Sequence, residues 1–178
     1  MPRPTSALCA DRWLTARRND QGSAAAAKLQ NASFLELDIT VDASVARVVK
    51  EVPKLDVLIN NAAIIPEGDQ DILTIRPEVV ARTIATNALG ALRVSQALVP
   101  RLLKSSAVRI VNVSSGAGQL SDMETWSPAY ALSKTTLNGI TCMLAAALKE
   151  TLAGIEREFV EPVPQADRAQ GKVGRFDP

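Results

Sequence analysis

The chain has no histidine among its 178 residues. That absence excludes Ser-His-Asp and Cys-His catalysis and most transition-metal sites, all of which depend on an imidazole. No metal site is expected. Cysteine is nearly absent too: Cys9 and Cys142 lie far apart and form no CxxC pair. A reduced chain with two incidental thiols is therefore expected, not a disulfide framework. No apolar run is long enough to cross a bilayer. Residues 1–10 carry one arginine and no sustained apolar stretch, so they do not read as a signal peptide. A cytoplasmic protein without membrane contacts is the expectation. Neither charge sign dominates: 20 Lys and Arg face 19 Asp and Glu, a net charge of +1. Nothing in that balance points to nucleic acid.

What is present suits one soluble domain. Hydrophobic residues make up 47% and charged residues 22% of the chain, ordinary values for a globular protein able to bury a core. Residues 1–11, with two prolines and little pattern, read as irregular. Strand-like segments at 13–17, 33–38, 55–60 and 108–113 alternate with helical ones at 20–30, 40–52, 76–103 and 127–154. The helix over 40–52 has Thr40 or Asp42 as its expected cap and Val45, Val48, Val49 and Val52 at helical spacing, with Pro53 closing it. The segment 76–103 reads as one or two helices with Val80, Ile84, Ala88 and Leu92 on one face and Pro100 disturbing its end. Ser127-Pro128 is a good helix start, and Gly154 a stop. Residues 155–178, charged and containing three prolines, read as a tail. The β-α alternation implies an α/β fold with a parallel sheet covered by helices on both faces.

The chemistry-bearing run is Tyr130-Ala-Leu-Ser-Lys134, fifteen residues after the last serine of Val111-Asn-Val-Ser-Ser115. Tyr130 and Lys134, spaced i and i+4, share one face of a helix. A phenol titrates near ~10 and is a poor base at neutral pH. A cation about 4 Å away, at an effective dielectric near 20, contributes roughly 4 kcal/mol to the phenolate. At about 1.36 kcal/mol per unit, that lowers the phenol by at most around 3 units, enough for acid–base work. The bland reading is a surface tyrosine beside a solvated lysine. Ser115 ends an apolar strand, and in open α/β sheets ligands bind beyond the carboxyl ends of strands. Alternatively, Ser114 and Ser115 only cap a turn before Gly116.

With these motifs in order, the chain resembles the short-chain dehydrogenase/reductase family, in its carbonyl-reductase-like branch. The resemblance rests on Leu55-Asp-Val-Leu-Ile-Asn60-Asn61-Ala62-Ala63, Thr86-Asn87-Ala-Leu-Gly90, Ile110-Val-Asn-Val-Ser-Ser115 and Tyr130-x-x-x-Lys134, with Thr15-Ala-Arg17 and Leu37-Asp38-Ile39-Thr40 as lesser signs. It covers roughly residues 12–150. It implies a Rossmann-like doubly wound sheet over 12–154 and NAD(P)-dependent interconversion of a small-molecule carbonyl and alcohol. Tyr130 would be the general acid, and Lys134 would assist it and bind the nicotinamide ribose. Ser115 would orient the carbonyl, and Asn87 would hold a water linking Lys134 to solvent or, alternatively, pair with backbone. Asn60, Ala62 and Ile39 would lie by the cofactor; Ala62-Ala63 stands where the family usually has Ala-Gly. Asp38 would contact adenine or else cap the helix after it. Arg17, at a strand end, would suit a 2′-phosphate and so NADP over NAD, or else sit in a solvated turn. Residues between Ser115 and Tyr130, including Met123 and Trp126, would shape the substrate pocket. A homodimer through the long helices is a further implication.

One expected element is missing. The family opens with a strand and a glycine-rich turn that binds pyrophosphate, yet the first glycine here is Gly22. Gly116-Ala-Gly118 follows the serine strand and lacks the third glycine. The missing strand would sit between the first strand of this chain and the third, in the order 3-2-1-4-5-6. Either another segment fills that slot, or the flanking strands pair directly, or the chain folds poorly. The last two strands of the family are lacking as well. An alternative function follows, in which the chain is a non-catalytic remnant or isoform that binds or dimerises.

Overall fold

The computed structural model describes residues 11–66, 71–123 and 125–151. The expectations for residues 1–10, for Gly154 and for the segment 155–178 lie outside them. Four short strands alternate with helices: β1 (Arg12–Ala16), α1 (Asn19–Ala26), β2 (Ala32–Glu36), α2 (Asp42–Glu51) and β3 (Val57–Asn60). Then follow α3 (Pro77–Ile84), a π-helical turn (Ala85–Leu89), α4 (Gly90–Leu102), β4 (Arg109–Asn112) and, after two 3-10 turns, α5 (Pro128–Thr151). Among the described residues no helix is long and apolar enough to cross a membrane.

Local chemistry explains where elements depart from the sequence reading. The alanine-rich α1 stops at Ala26 and not near residue 30. The N–H groups of Lys28 and Leu29 bond three residues back, to the carbonyls of Ala25 and Ala26, and Asn31 takes φ 52° to turn the chain into β2. Asparagine tolerates that left-handed geometry better than most residues. At the start of α2 neither Thr40 nor Asp42 caps the helix; Val41 occupies the N-cap position without a side-chain bond. Asp42 instead places its charge in the first turn, where the helix dipole favours it. Pro100 lies inside α4, which ends two residues later.

Among the described residues all pairing is parallel, but it makes two separate ladders: β1 with β2 and β3 with β4. The register runs Arg12↔Ala32 to Ala16↔Glu36 in one and Val57↔Arg109 to Asn60↔Asn112 in the other. One apolar core joins them. Leu37 of the β2 exit, Val45 and Val48 of α2, Leu58 of β3, Val94, Leu98 and Leu102 of α4 and Ile110 of β4 form a single buried cluster. So α2 and α4 lie on the same face of both ladders. On the opposite face α1 packs against β2, with the Phe34 ring filling the space a Cβ at Gly22 would need.

Helix placement and the right-handed crossover rule together give the lateral order. The connection through α1 leads from β1 to β2 on one side. The connection through α2, on the other face, leads back past β1 to β3. The order is β2-β1-gap-β3-β4. Direct pairing of the flanking strands is not found, which corrects that alternative, and no filling segment is found among the described residues. The shared core packs against both ladders. The ladder bonds Arg12 N–H to Asn31 O and Arg109 N–H to Asp56 O set the phase of each pair. Main-chain groups of Trp13 and Thr15, and of Val57 and Ile59, therefore point into the gap. Beside it, one face of the β3–β4 ladder is uncovered, and Ile59 is 62% exposed while Leu58 is buried.

Candidate active site

The carboxyl ends of the four strands bring the predicted residues to one edge of the fold. At the end of β4, Ser114 is buried and Ser115 half-buried. Ser115 caps the 3-10 turn Gly116–Gly118, its Oγ accepting from the Ala117 N–H at 3.2 Å. The turn-cap role read from sequence is thus realised. An Oγ occupied as an acceptor keeps its own hydrogen to donate elsewhere.

Across from this loop runs α5. Tyr130 and Lys134 are 4% and 2% exposed, which corrects the reading of a surface tyrosine with a solvated lysine. The Lys134 Nζ lies 5.5 Å from the centroid of the Tyr130 ring and donates to the Val113 carbonyl at 2.7 Å. Burial pushes the Lys134 ammonium below its ordinary value, because a low-dielectric surrounding disfavours the charged form. The chain thus keeps an amine out of water, bonded to a strand-end carbonyl and close to a phenol.

Asn87 sits in the π-helical turn and is 1% exposed. Its Oδ1 accepts from the Ile64 N–H at 2.8 Å, and its Nδ2 donates to the Ile64 carbonyl at 2.9 Å and to Ser133 Oγ at 2.9 Å. Of the two roles read from sequence, pairing with backbone is the one its contacts display. The π turn that carries it is a common device for aiming a functional side chain. Ser133 sends its own hydroxyl hydrogen to the Tyr130 carbonyl at 2.7 Å, so Asn87 ties the loop after β3 to the first turn of α5. Asn60 bridges the layers, donating to Ser95 Oγ at 3.0 Å and to Asn112 Oδ1 at 2.8 Å. Ala62 is exposed on the loop beyond it.

The other half of the predicted site lies at the ends of β1 and β2. The Asp38 carboxylate accepts from the Thr40 hydroxyl at 2.6 Å and from its N–H at 2.8 Å. It closes a local turn and does not cap α2. These bonds, with a smaller contribution from the Arg17 guanidinium, hold its carboxyl below the usual carboxylate range. Arg17 is exposed and near enough to Asp38 to act on it. Ile39 packs over Gly90, where it leaves no room for a Cβ, and its carbonyl accepts from Arg93 at 2.9 Å.

The loop expected to shape a pocket does so only in part. Met123 and Thr125 line an apolar cleft with Ile72, Pro128, Ala131 and Leu132, while Trp126 is not among its walls. At about 100° per residue, Ala131 and Leu132 lie roughly 100° and 200° around α5 from Tyr130. The cleft therefore opens on another side of the helix. Asn138 and Thr135, which bind the serine loop to α5 at Gly118, are not singled out by the sequence. The available signal was spacing, since Asn138 follows Tyr130 and Lys134 at i+8 and i+4.

A sequence model of the short chain dehydrogenase family matches residues 9–166. A short-chain dehydrogenase/reductase of Aspergillus fumigatus is 30% identical over 158 residues, covering 80% of this chain and 60% of that protein. The short-chain dehydrogenase RED3 of Pyricularia oryzae is 37% identical over 94 residues, covering 51% of this chain and 38% of its own length. The chain thus spans less than two thirds of the length of these curated relatives. Among solved structures, NADPH-bound carbonyl reductase from chicken fatty liver superposes with a TM-score of 0.69 at 27% identity, over 78% of this chain and 60% of that one.

Proposed function

Because the chain belongs to the short-chain dehydrogenase family, we propose that it is a nicotinamide-dependent oxidoreductase that interconverts a small carbonyl and its alcohol. The observation that carries this reading is the buried Tyr130–Lys134 pair, with Nζ 5.5 Å from the phenol ring and the Ser115 hydroxyl on the facing loop.

The cofactor the family implies has a partial match in this chain. Arg17 and Asp38, near each other at the ends of β1 and β2, suit the adenosine end. Tyr130 and Lys134 suit the nicotinamide ribose. No glycine-rich strand-to-helix turn for the pyrophosphate exists among the described residues. Arg17 favours NADP, because a guanidinium matches a 2′-phosphate and an acid would match a free hydroxyl. When bound, the cofactor supplies or accepts the hydride.

The chain's own residues handle the substrate oxygen. Ser115 Oγ, whose acceptor side is engaged by Ala117, donates to that oxygen. Tyr130 Oη gives it a proton during reduction and takes one back during oxidation. The Lys134 ammonium attracts the charge left on the phenol, and its tether to Val113 keeps it from swinging to solvent. Asn87 holds α5 against the β3 loop.

NADPH titration followed by fluorescence tests the reading first, and saturable binding is expected. Tyr130→Phe should then leave binding intact and lower carbonyl reduction by about 10²–10⁴-fold. Absence of saturable binding, or full turnover in Tyr130→Phe, overturns the proposal. The lack, among the described residues, of a pyrophosphate turn and of partners for the inner edges of β1 and β3 favours a second reading, a non-catalytic chain acting through binding or as a homodimer. That reading is supported if NADPH does not bind and sedimentation shows a dimer.

A further inference from the structure

The loop that carries Ser115 is a small rigid body. The Gly118 N–H bonds to the Ser115 carbonyl at 3.0 Å, and the Ala117 N–H bonds to Ser115 Oγ at 3.2 Å. A body of this kind has to be held at a defined distance from Tyr130 for both hydroxyls to reach one substrate oxygen. Misplacement by about 1 Å is enough to cost on the order of 100-fold in rate.

Two features set that distance. One is a stop: a Cβ at Gly118 would lie 2.8 Å from the Lys134 main-chain carbon and 2.9 Å from the Thr135 nitrogen, so the turn already rests on the backbone of α5. The other is a tie. Asn138 Oδ1 accepts from Ser114 Oγ at 2.5 Å, and Asn138 Nδ2 donates to the Gly118 carbonyl at 3.3 Å. Thr135 Oγ1 donates to the same carbonyl at 3.1 Å. One amide thus grips the loop on both sides of Ser115, with an acceptor for a hydroxyl and a donor for a carbonyl. Tyr130, Lys134 and Asn138 occupy successive turns of one face, so the helix that presents the proton donor also fixes its partner.

We propose that Asn138 is a positioning residue that sets the Ser115 hydroxyl against Tyr130 by clamping Ser114 and Gly118 to α5. The catalytic part of this inference rests on the reading in which Ser115 and Tyr130 share a substrate oxygen. Among the described residues no other side chain offers both an acceptor and a donor to the flanks of Ser115. Aspartate at this position keeps the acceptor for Ser114 and loses the donor for Gly118; alanine loses both.

Amide hydrogen exchange tests the clamp without any activity. In Asn138→Ala the Ala117 and Gly118 amides should exchange at least about 10-fold faster, with the rest of α5 unchanged. In Asn138→Asp only Gly118 should loosen. If Asn138→Ala does not fold, Asn138→Asp and Ser114→Ala carry the same test. Unchanged exchange in the loop overturns the clamp. A double-mutant cycle tests its use in catalysis. Asn138→Ala should lower kcat for carbonyl reduction by about 10–100-fold, leaving the KM for NADPH and the pH profile in place, since Tyr130 and Lys134 are untouched. In a Ser115→Ala background the same change should cost less than about 2-fold. Equal losses in both backgrounds overturn the positioning role. Wild-type protein without turnover removes the reductase reading and any catalytic role for Asn138, while the exchange result still decides whether the clamp exists.

Discussion

Lys134 is an amine with almost no access to water, bonded to a main-chain carbonyl. Its folded-state pKa lies below the ordinary 10.5, so the folded chain releases this proton at lower pH than the unfolded chain does. Stability rises with pH wherever the unfolded state holds more protons. The wild type should therefore gain thermal stability relative to Lys134→Met as pH rises toward 10.5, the gain beginning near the lowered folded pKa. Melting temperatures of the two proteins at pH 7 and pH 10 check this, and a constant difference would refute it. Gly118→Ala is a second residue-scale case. Its methyl would meet the backbone of α5, and overpacking of that kind costs about 1–3 kcal/mol. Urea midpoints should fall accordingly, and the serine loop should move off the helix. Tyr130, Lys134 and Ser115 were legible in sequence because their residue types and spacing are set by chemistry. Asn138 was not, because an amide on a helix face announces nothing until its partners are in view.

The long helical segment shows why periodicity reads one element and misreads the next. Val45 and Val48 of α2, and Val52 at its C-cap, are buried as the spacing required, and Val49 is half-buried, with no interruption in the helix. In the stripe Val80, Ile84, Ala88 and Leu92, only Ala88 is fully buried and the other three are half-buried. Beyond the π turn the buried apolar side chains are Ala91, Val94, Leu98 and Leu102, because an every-fourth spacing drifts about 40° per step around a helix of about 100° per residue. That turn has no hydrophobic signature of its own; it is held by Asn87. Replacing Asn87 with leucine strands the Ile64 N–H and carbonyl, and an unsatisfied buried polar group costs about 1–3 kcal/mol. A loss of about 2–4 kcal/mol in urea unfolding is expected, from more than one stranded group. A loss below about 0.5 kcal/mol would mean that the Ile64 loop finds other partners.

For the whole molecule, the order of strands was legible, while the open division into two ladders among the described residues was none of the outcomes drawn for the missing strand. The physical cost falls on two inner edges. Along β1 the amides of Leu14 and Ala16 are tied into the ladder with β2, while those of Trp13 and Thr15 face the gap. Along β3, Leu58 and Asn60 are tied to β4, while Val57 and Ile59 face it. Residue-resolved exchange should alternate along both strands, fast at the gap-facing amides and slow at the others. Uniform protection would show that the gap is closed in solution. The uncovered face beside it has a further effect, on the lifetime of the protein in a tube. An apolar edge with unused main-chain groups is a template on which other copies grow. Stored at high concentration, the chain should convert to β-rich aggregate after a lag that preformed seeds abolish. Ile59→Lys, at a site already 62% exposed, should lengthen that lag while leaving the melting temperature almost where it was.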